Sequence, residues 1–243
     1  MILKGHSCEE DQMRKEPCPK KVPIFKELSH EEMLKVAKMT KHIRFKKGQV
    51  LLHEGEKSDK LFIVNSGQVK VSKFTLQGKE QILYILASGE FFGELHLFNA
   101  DEANNFSVYA IQDTEICLLT KDDMDRIMED NPAISIKLLK AVTKRLAHTE
   151  NLAQNLATND AEARIAQMIL EFCRKFGMKK KEGVLIELPI TREEIASYVG
   201  VARETVSRKF SKLEELGLIA LSGNKRLFVK DETALREYFD IGI

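Results

Sequence analysis

The 243-residue sequence predicts an α+β chain in which a small all-β sandwich is followed by one long helix and then by a helical module closed by a hairpin. Three observations carry that reading. Short apolar runs punctuated by glycine fill the stretch from Phe45 to about Leu119, a helical apolar period takes over after Pro132, and two short helical patterns flank Gly200 before two strand-like runs. With 43% hydrophobic residues, a chain of this length can bury more than one core.

The β region is read from Val50-Leu51-Leu52, Leu61-Phe62-Ile63-Val64, Gln81-Ile82-Leu83-Tyr84-Ile85-Leu86 and Val108-Tyr109-Ala110-Ile111. Gly48, Gly55, Gly67, Gly78 and Gly89 mark the turns between such runs. Short strands at spacings of about 8 to 12 residues suit antiparallel pairing, and the arrangement predicts a jelly roll over residues 23–130. Residues 1–22 are polar and carry Cys8 and Cys18 without apolar periodicity, which reads as an N-terminal arm.

After Asp130-Asn131-Pro132, Leu139, Val142, Leu146, Thr149, Ala153 and Leu156 recur in steps of three and four, a heptad seam over residues 131–158. An apolar stripe of this kind is buried against its own sandwich or against the same helix of a second chain; its narrowness favours a homodimer. A further helix is expected from Ala161 to about Phe176, then a polar loop at Met178-Lys179-Lys180-Lys181-Glu182-Gly183, within a last domain spanning 159–243.

In that domain, Thr191-Arg192-Glu193-Glu194 has the form of a capping box, in which Thr191 accepts a free backbone N–H and Glu194 reaches back. The helix it starts carries Ile195, Ala196 and Val199 and breaks at Gly200. A second helix from about Arg203 has apolar positions Val206, Phe210, Leu213 and Leu216, and ends at Gly217. Leu218 to Leu221 and Arg226 to Val229 then make a hairpin around Ser222-Gly223-Asn224, completing a winged helix-turn-helix. The outer face of the second helix presents Arg203, Glu204, Ser207, Arg208 and Lys212. Arg208 can donate two bonds to guanine O6 and N7, and Glu204 can accept from cytosine N4. Lys209, Lys212 and Lys225 are expected at phosphates, and Thr191 at the helix start belongs to the same surface. Double-stranded DNA is therefore the expected partner.

Composition excludes other classes. The net charge of +1 announces nothing, so a DNA surface must come from local clustering. No apolar run approaches a membrane span and no secretion signal is present, so a cytoplasmic protein with reduced cysteines is expected. His53 and His96 stand alone, which argues against a cupin-like metal enzyme, and no nucleophile–base constellation supports an enzyme of another kind.

The order of these domains and the run Arg203-Glu204-Thr205-Val206-Ser207-Arg208 resemble the Crp/Fnr family of bacterial transcription regulators, nearest its Fnr-like branch in Gram-positive bacteria. Gly67, Gly93-Glu94-Leu95, Arg164-Ile165-Ala166 and Thr191 to Ala196 extend the resemblance over about Phe25 to Asp231. It implies a cyclic-nucleotide-binding-like sensor domain, a dimerisation helix, a homodimer that reads an inverted repeat with TGA-containing half-sites through Glu204 and Arg208, and RNA polymerase as a partner. Ala202 departs from the serine that caps the second helix in the cyclic-AMP regulator.

The resemblance also frames the signal. In the cyclic-nucleotide members an Arg-Ser pair holds the phosphate; here the aligned positions are Asn104 and Asn105, while Gly93, Glu94 and Thr149 are the effector-pocket positions that remain. Without a guanidinium, a buried phosphate lacks its strongest hydrogen bonds, which disfavours cyclic AMP. Cys18 and Cys117 align with iron–sulfur ligands of Fnr, but Cys8 and Cys18 are one short of its N-terminal set. An iron–sulfur cluster completed by a non-cysteine ligand such as His6, and a reversible disulfide between Cys117 and Cys8 or Cys18, both stay open, as do an inert buried Cys117 and an effector-independent or cyclic-nucleotide-responsive regulator. Cys173, among Met168, Ile169, Leu170 and Phe172, is expected in the core.

Overall fold

Period-two alternation places the strands of the first half in two facing sheets. The computed structural model describes residues 6–7, 18–99, 102–157 and 161–238. Along the chain come β1 (His6–Ser7), 3-10 turns at Cys18–Lys21 and Pro23–Phe25, α1 (His30–Met39), β2 (Lys41–Phe45), β3 (Val50–Leu52), β4 (Lys60–Ser66), β5 (Gln68–Phe74), β6 (Glu80–Ala87), β7 (Phe91–Phe92), α2 (Glu94–Phe98), β8 (Ser107–Ala110), β9 (Thr114–Thr120), α3 (Lys121–Asp130) and α4 (Pro132–Ala157). One sheet has the order β1-β2-β9-β4-β7 and the other β3-β8-β5-β6. The expected jelly roll is present, and its four foreseen runs coincide with β3, β4, β6 and β8.

Alternation gives β4 and β9 two buried faces. Phe62, Val64, Ile116 and Leu118 enter the core between the sheets with Val69, Val71, Val108 and Phe92. Leu61, Ile63, Cys117 and Leu119 face the other way, into a second core with Phe25, Val36, Met124, Ile127, Ile134 and Leu138. The flanking helices start on side-chain caps: Ser29 and Glu32 form a capping box for α1, and Thr120 and Asp123 do so for α3.

Helix α4 uses one stripe to close this second core, through Ile134, Leu138 and the partly buried Ala141. Another stripe is left uncovered in the single chain: Leu139 is 62% exposed and Leu146 57% exposed. Of the heptad positions named above, the side chains of Ala153 and Leu156 lie outside the described residues.

The remaining elements are α5 (Ala161–Phe176), β10 (Gly177–Lys180), β11 (Gly183–Glu187), α6 (Arg192–Val199), α7 (Arg203–Glu215), β12 (Ile219–Ser222), β13 (Arg226–Val229) and α8 (Glu232–Tyr238). The stretch expected as a polar loop is instead a hairpin: β10 and β11 join a sheet of order β10-β11-β13-β12. Exposed lysines on β10 hide its strand character, because pairing to β11, rather than an apolar face, holds it. At the other end, His6–Ser7 pairs with β2, and Val22 is buried beside Ile24 and Phe25, so residues assigned to the arm contribute to the first unit. Contacts divide the chain into one unit of residues 1–74 and 83–148 and another of 75–82 and 149–243, with the division falling inside α4.

Gly67, between β4 and β5, has φ of +90°, and a Cβ there would lie 2.4 Å from Thr114 Oγ1 and 2.6 Å from the Asp113 carbonyl oxygen. Gly67→Ala is therefore expected to lower the unfolding free energy by about 1–3 kcal/mol, measured by urea denaturation; unchanged stability would contradict this account of the turn.

Candidate nucleic-acid interface and sensor site

The helix pair is built from its caps inward. Thr191 Oγ1 accepts from the Glu194 N–H at 3.3 Å, and Glu194 Oε2 accepts from the Thr191 N–H at 3.0 Å, so the expected capping box forms. Gly200 closes α6 in the left-handed region at φ 74°, and Ala202 starts α7 without a side-chain cap. Val206, Phe210 and Leu213 are buried, and the Arg192 guanidinium lies 4.0 Å from the Phe210 ring centroid. Burial lowers the pKa of Arg192, and its Nη1 has no hydrogen-bond partner among the described residues. On the wing side, Glu214 Oε1 accepts from the Leu221 N–H at 2.8 Å, tying α7 to β12.

Because α-helical residues advance by about 100°, burial of Val206, Phe210 and Leu213 turns Glu204, Ser207, Arg208 and Ser211 outward. All four are exposed. Arg203 is exposed beside Glu193, with Nε 4.0 Å from the carboxylate. Lys225 is exposed in the β12–β13 turn. Lys209 and Lys212 lie on the flank instead, where Glu162 of α5 accepts from both. Ser211 shares a face with Glu204 and Ser207, a placement that helical register alone can give, whereas no local pattern in the sequence links Glu162 to α7.

In the jelly roll, Gly93 takes φ of 88° and starts α2, where an added Cβ would come within 2.6 Å of the Lys60 carbonyl oxygen. Glu94 is 5% exposed; one carboxylate oxygen accepts from Arg145 of α4 and the other, Oε2, is buried without a hydrogen-bond partner among the described residues. Arg145 also donates to the Phe91 carbonyl at 2.7 Å and lies 5.0 Å from the Tyr84 ring centroid. Burial pushes the Tyr84 hydroxyl up to about 12. Arg145 and Tyr84 were not foreseen, since only the fold brings them to Glu94. Asn104 is buried and donates to the Glu56 carbonyl oxygen at 3.0 Å, a structural tie, while Asn105 is exposed. A cyclic phosphate thus finds no cation at either asparagine, and the guanidinium beside Glu94 is engaged by the protein itself. These residues do not fit the phosphate of a cyclic nucleotide. Thr149 is exposed on α4.

Cys117 is buried on β9 with Sγ 3.6 Å from His42 Nδ1. The register aligns His6 with His42 and His42 with Cys117, so β1 lies two strands from the thiol-bearing position. Cys8 lies outside the described residues, as does the side chain of Cys18, whose backbone begins the first 3-10 turn. Cys173 is a core residue as expected, and burial pushes its thiol up to about 12.

Two family models match the chain: a cyclic nucleotide-binding domain over residues 42–131 and a Crp-like helix-turn-helix domain over residues 163–238. The cAMP-activated global transcriptional regulator CRP of Salmonella typhimurium is 35% identical over 174 residues, 71% of this chain and 82% of that protein. This chain belongs to the Crp/Fnr family of transcription regulators. The CRP-like cAMP-activated global transcriptional regulator of Mycobacterium tuberculosis is 29% identical over 88% of this chain and 95% of that one. Among solved structures, FixK2 from Bradyrhizobium japonicum superposes with a TM-score of 0.71 at 24% identity, over 82% of this chain and 96% of that one, a likeness of fold. This Crp/Fnr regulator is a DNA-binding protein with its helix-turn-helix domain over residues 163–238, and no helix among the described residues is long and apolar enough to cross a membrane.

Arg145→Ala would strand the buried Glu94 carboxylate and is expected to cost on the order of 3 kcal/mol of stability. The pair Glu94→Gln with Arg145→Met, which removes both charges, should cost less in the same denaturation experiment. Equal losses would show that the ion pair is not what makes Arg145 matter.

Proposed function

We propose that this Crp/Fnr regulator reads an inverted repeat with TGA-containing half-sites as a homodimer and answers to redox state. The observation that carries the DNA reading is the outward face of α7, where Glu204, Ser207 and Arg208 stand exposed between a capped α6 and a wing tied to Glu214. Arg208 donates to guanine, Glu204 accepts from cytosine, and Arg203, Thr191 and Lys225 supply contacts to the backbone. The uncovered stripe of Leu139 and Leu146 supports pairing of α4 with its copy, which would place two α7 helices one helical turn apart on DNA. By family resemblance, RNA polymerase is the downstream partner.

Two features support the redox input. Cys117 lies in the same core as Ile134 and Leu138 of α4, which couples chemistry at its sulfur to that helix; and His42 places a ring nitrogen 3.6 Å from the thiol. Cys8 and Cys18 are the arm's candidate partners. Oxidation of such a pair by hydrogen peroxide takes two electrons and two protons, forming the S–S bond and releasing two waters. An iron–sulfur cluster on the same cysteines is the other redox reading.

Selection from random duplexes should return a palindrome, and a non-palindromic consensus would refute the symmetric reading. Arg208→Ala should weaken specific binding by about 1–3 kcal/mol and relax the guanine position alone. Sedimentation should find Leu139→Glu/Leu146→Glu monomeric. For the signal, anaerobic protein should lose two free thiols on peroxide treatment, and Cys117→Ser should abolish that loss; brown colour with bound iron would instead select the cluster. A colourless protein with an unchanged thiol count would refute redox control.

A further inference from the structure

The flank of α7 carries a charge cluster that base reading does not use. Lys209 and Lys212, three residues apart, both turn toward the first turn of α5, where one carboxylate takes both. Lys212 Nζ lies 3.1 Å from Glu162 Oε1 and 3.2 Å from Oε2, and Lys209 donates to the same Oε1. The Lys209 and Glu162 side chains are only 23% and 21% exposed, and Ile165, Leu213 and Leu216 line the cleft they share. Lys209, and then Lys212, hold the Glu162 carboxyl below its ordinary range, and Glu162 raises the Lys212 ammonium. The N-terminal end of α5 adds its own attraction for a carboxylate. Glu162 sits one residue before the stretch matched by the Crp-like domain, so that match does not account for it.

We propose that Glu162 is a positioning residue for DNA recognition, one that pins the flank of α7 to α5 and withholds Lys209 and Lys212 from the cations that neutralise DNA phosphates. Non-specific affinity grows with the number of phosphates neutralised, so each withheld lysine weakens binding to any sequence. The contacts of Glu204 and Arg208 are left untouched. Base contacts then make up a larger share of the binding free energy at a specific site, and α7 is held at a fixed angle against the helix that follows α4. The inference rests on α7 being the DNA-reading helix.

The test measures binding of the full chain to a random-sequence duplex by fluorescence anisotropy over a series of potassium chloride concentrations. Glu162→Gln should raise this affinity and steepen the slope of log K against log salt by about 1–2, the equivalent of one or two released cations. Lys212→Gln alone should leave the slope unchanged, while adding it to Glu162→Gln should take back about 1. A slope for Glu162→Gln equal to that of the native chain, or a slope shallower by about 1 for Lys212→Gln alone, would overturn the proposal. If Glu162→Gln fails to fold, as circular dichroism would show, Lys212→Gln decides by itself. A native chain with no preference for any selected duplex over the random one would instead count against α7 as the reader.

Discussion

Strand β9 is buried on both faces, and the first unit is organised around that double burial. Ile116 and Leu118 complete the core between the sheets while Cys117 and Leu119 complete the core under the helices. A strand in this position tolerates no slip of register, because a shift by one residue would exchange the two sets. Helix α4 depends on it directly, since Ile134 and Leu138 pack in the same core as Cys117 and Leu119. With that stripe occupied, the side of α4 bearing Leu139 and Leu146 is left exposed in the single chain.

Charge is used differently in the two halves. In the jelly roll, Glu94 and Arg145 are brought together in a partly desolvated setting where tight neighbours are needed to offset the loss of water. On α7, by contrast, Glu204 and Arg208 stay in solvent, where their charges keep their hydration and cost little. Glu162 lies between these extremes, sheltered enough to hold Lys209 and close enough to the surface to engage Lys212, whose side chain is 48% exposed.

How much of this could be read in the sequence follows from the range of the interactions involved. The capping box at Thr191, the stop at Gly200 and the hairpin ending in Arg226 to Val229 are local: a few adjacent residues state their own geometry, and each is found where the pattern put it. The apolar period of α4 was equally plain, though not that Ile134 and Leu138 would take one side while Leu139 kept the other. Strand β10 escaped because Lys179 and Lys180 carry no alternation and its strand identity comes from a neighbour. Arg145 is 51 residues from Glu94 and Lys209 is 47 from Glu162; nothing in either local run names the partner. Non-local ion pairs are the part of a site that only the fold reveals.

The buried thiol of Cys173 has a practical consequence. With its proton held up to about 12, it offers an electrophile almost no thiolate at neutral pH. A mild alkylating or oxidising reagent applied to the folded chain therefore meets Cys173 as a poor nucleophile, and a signal from it would itself mark the opening of that core.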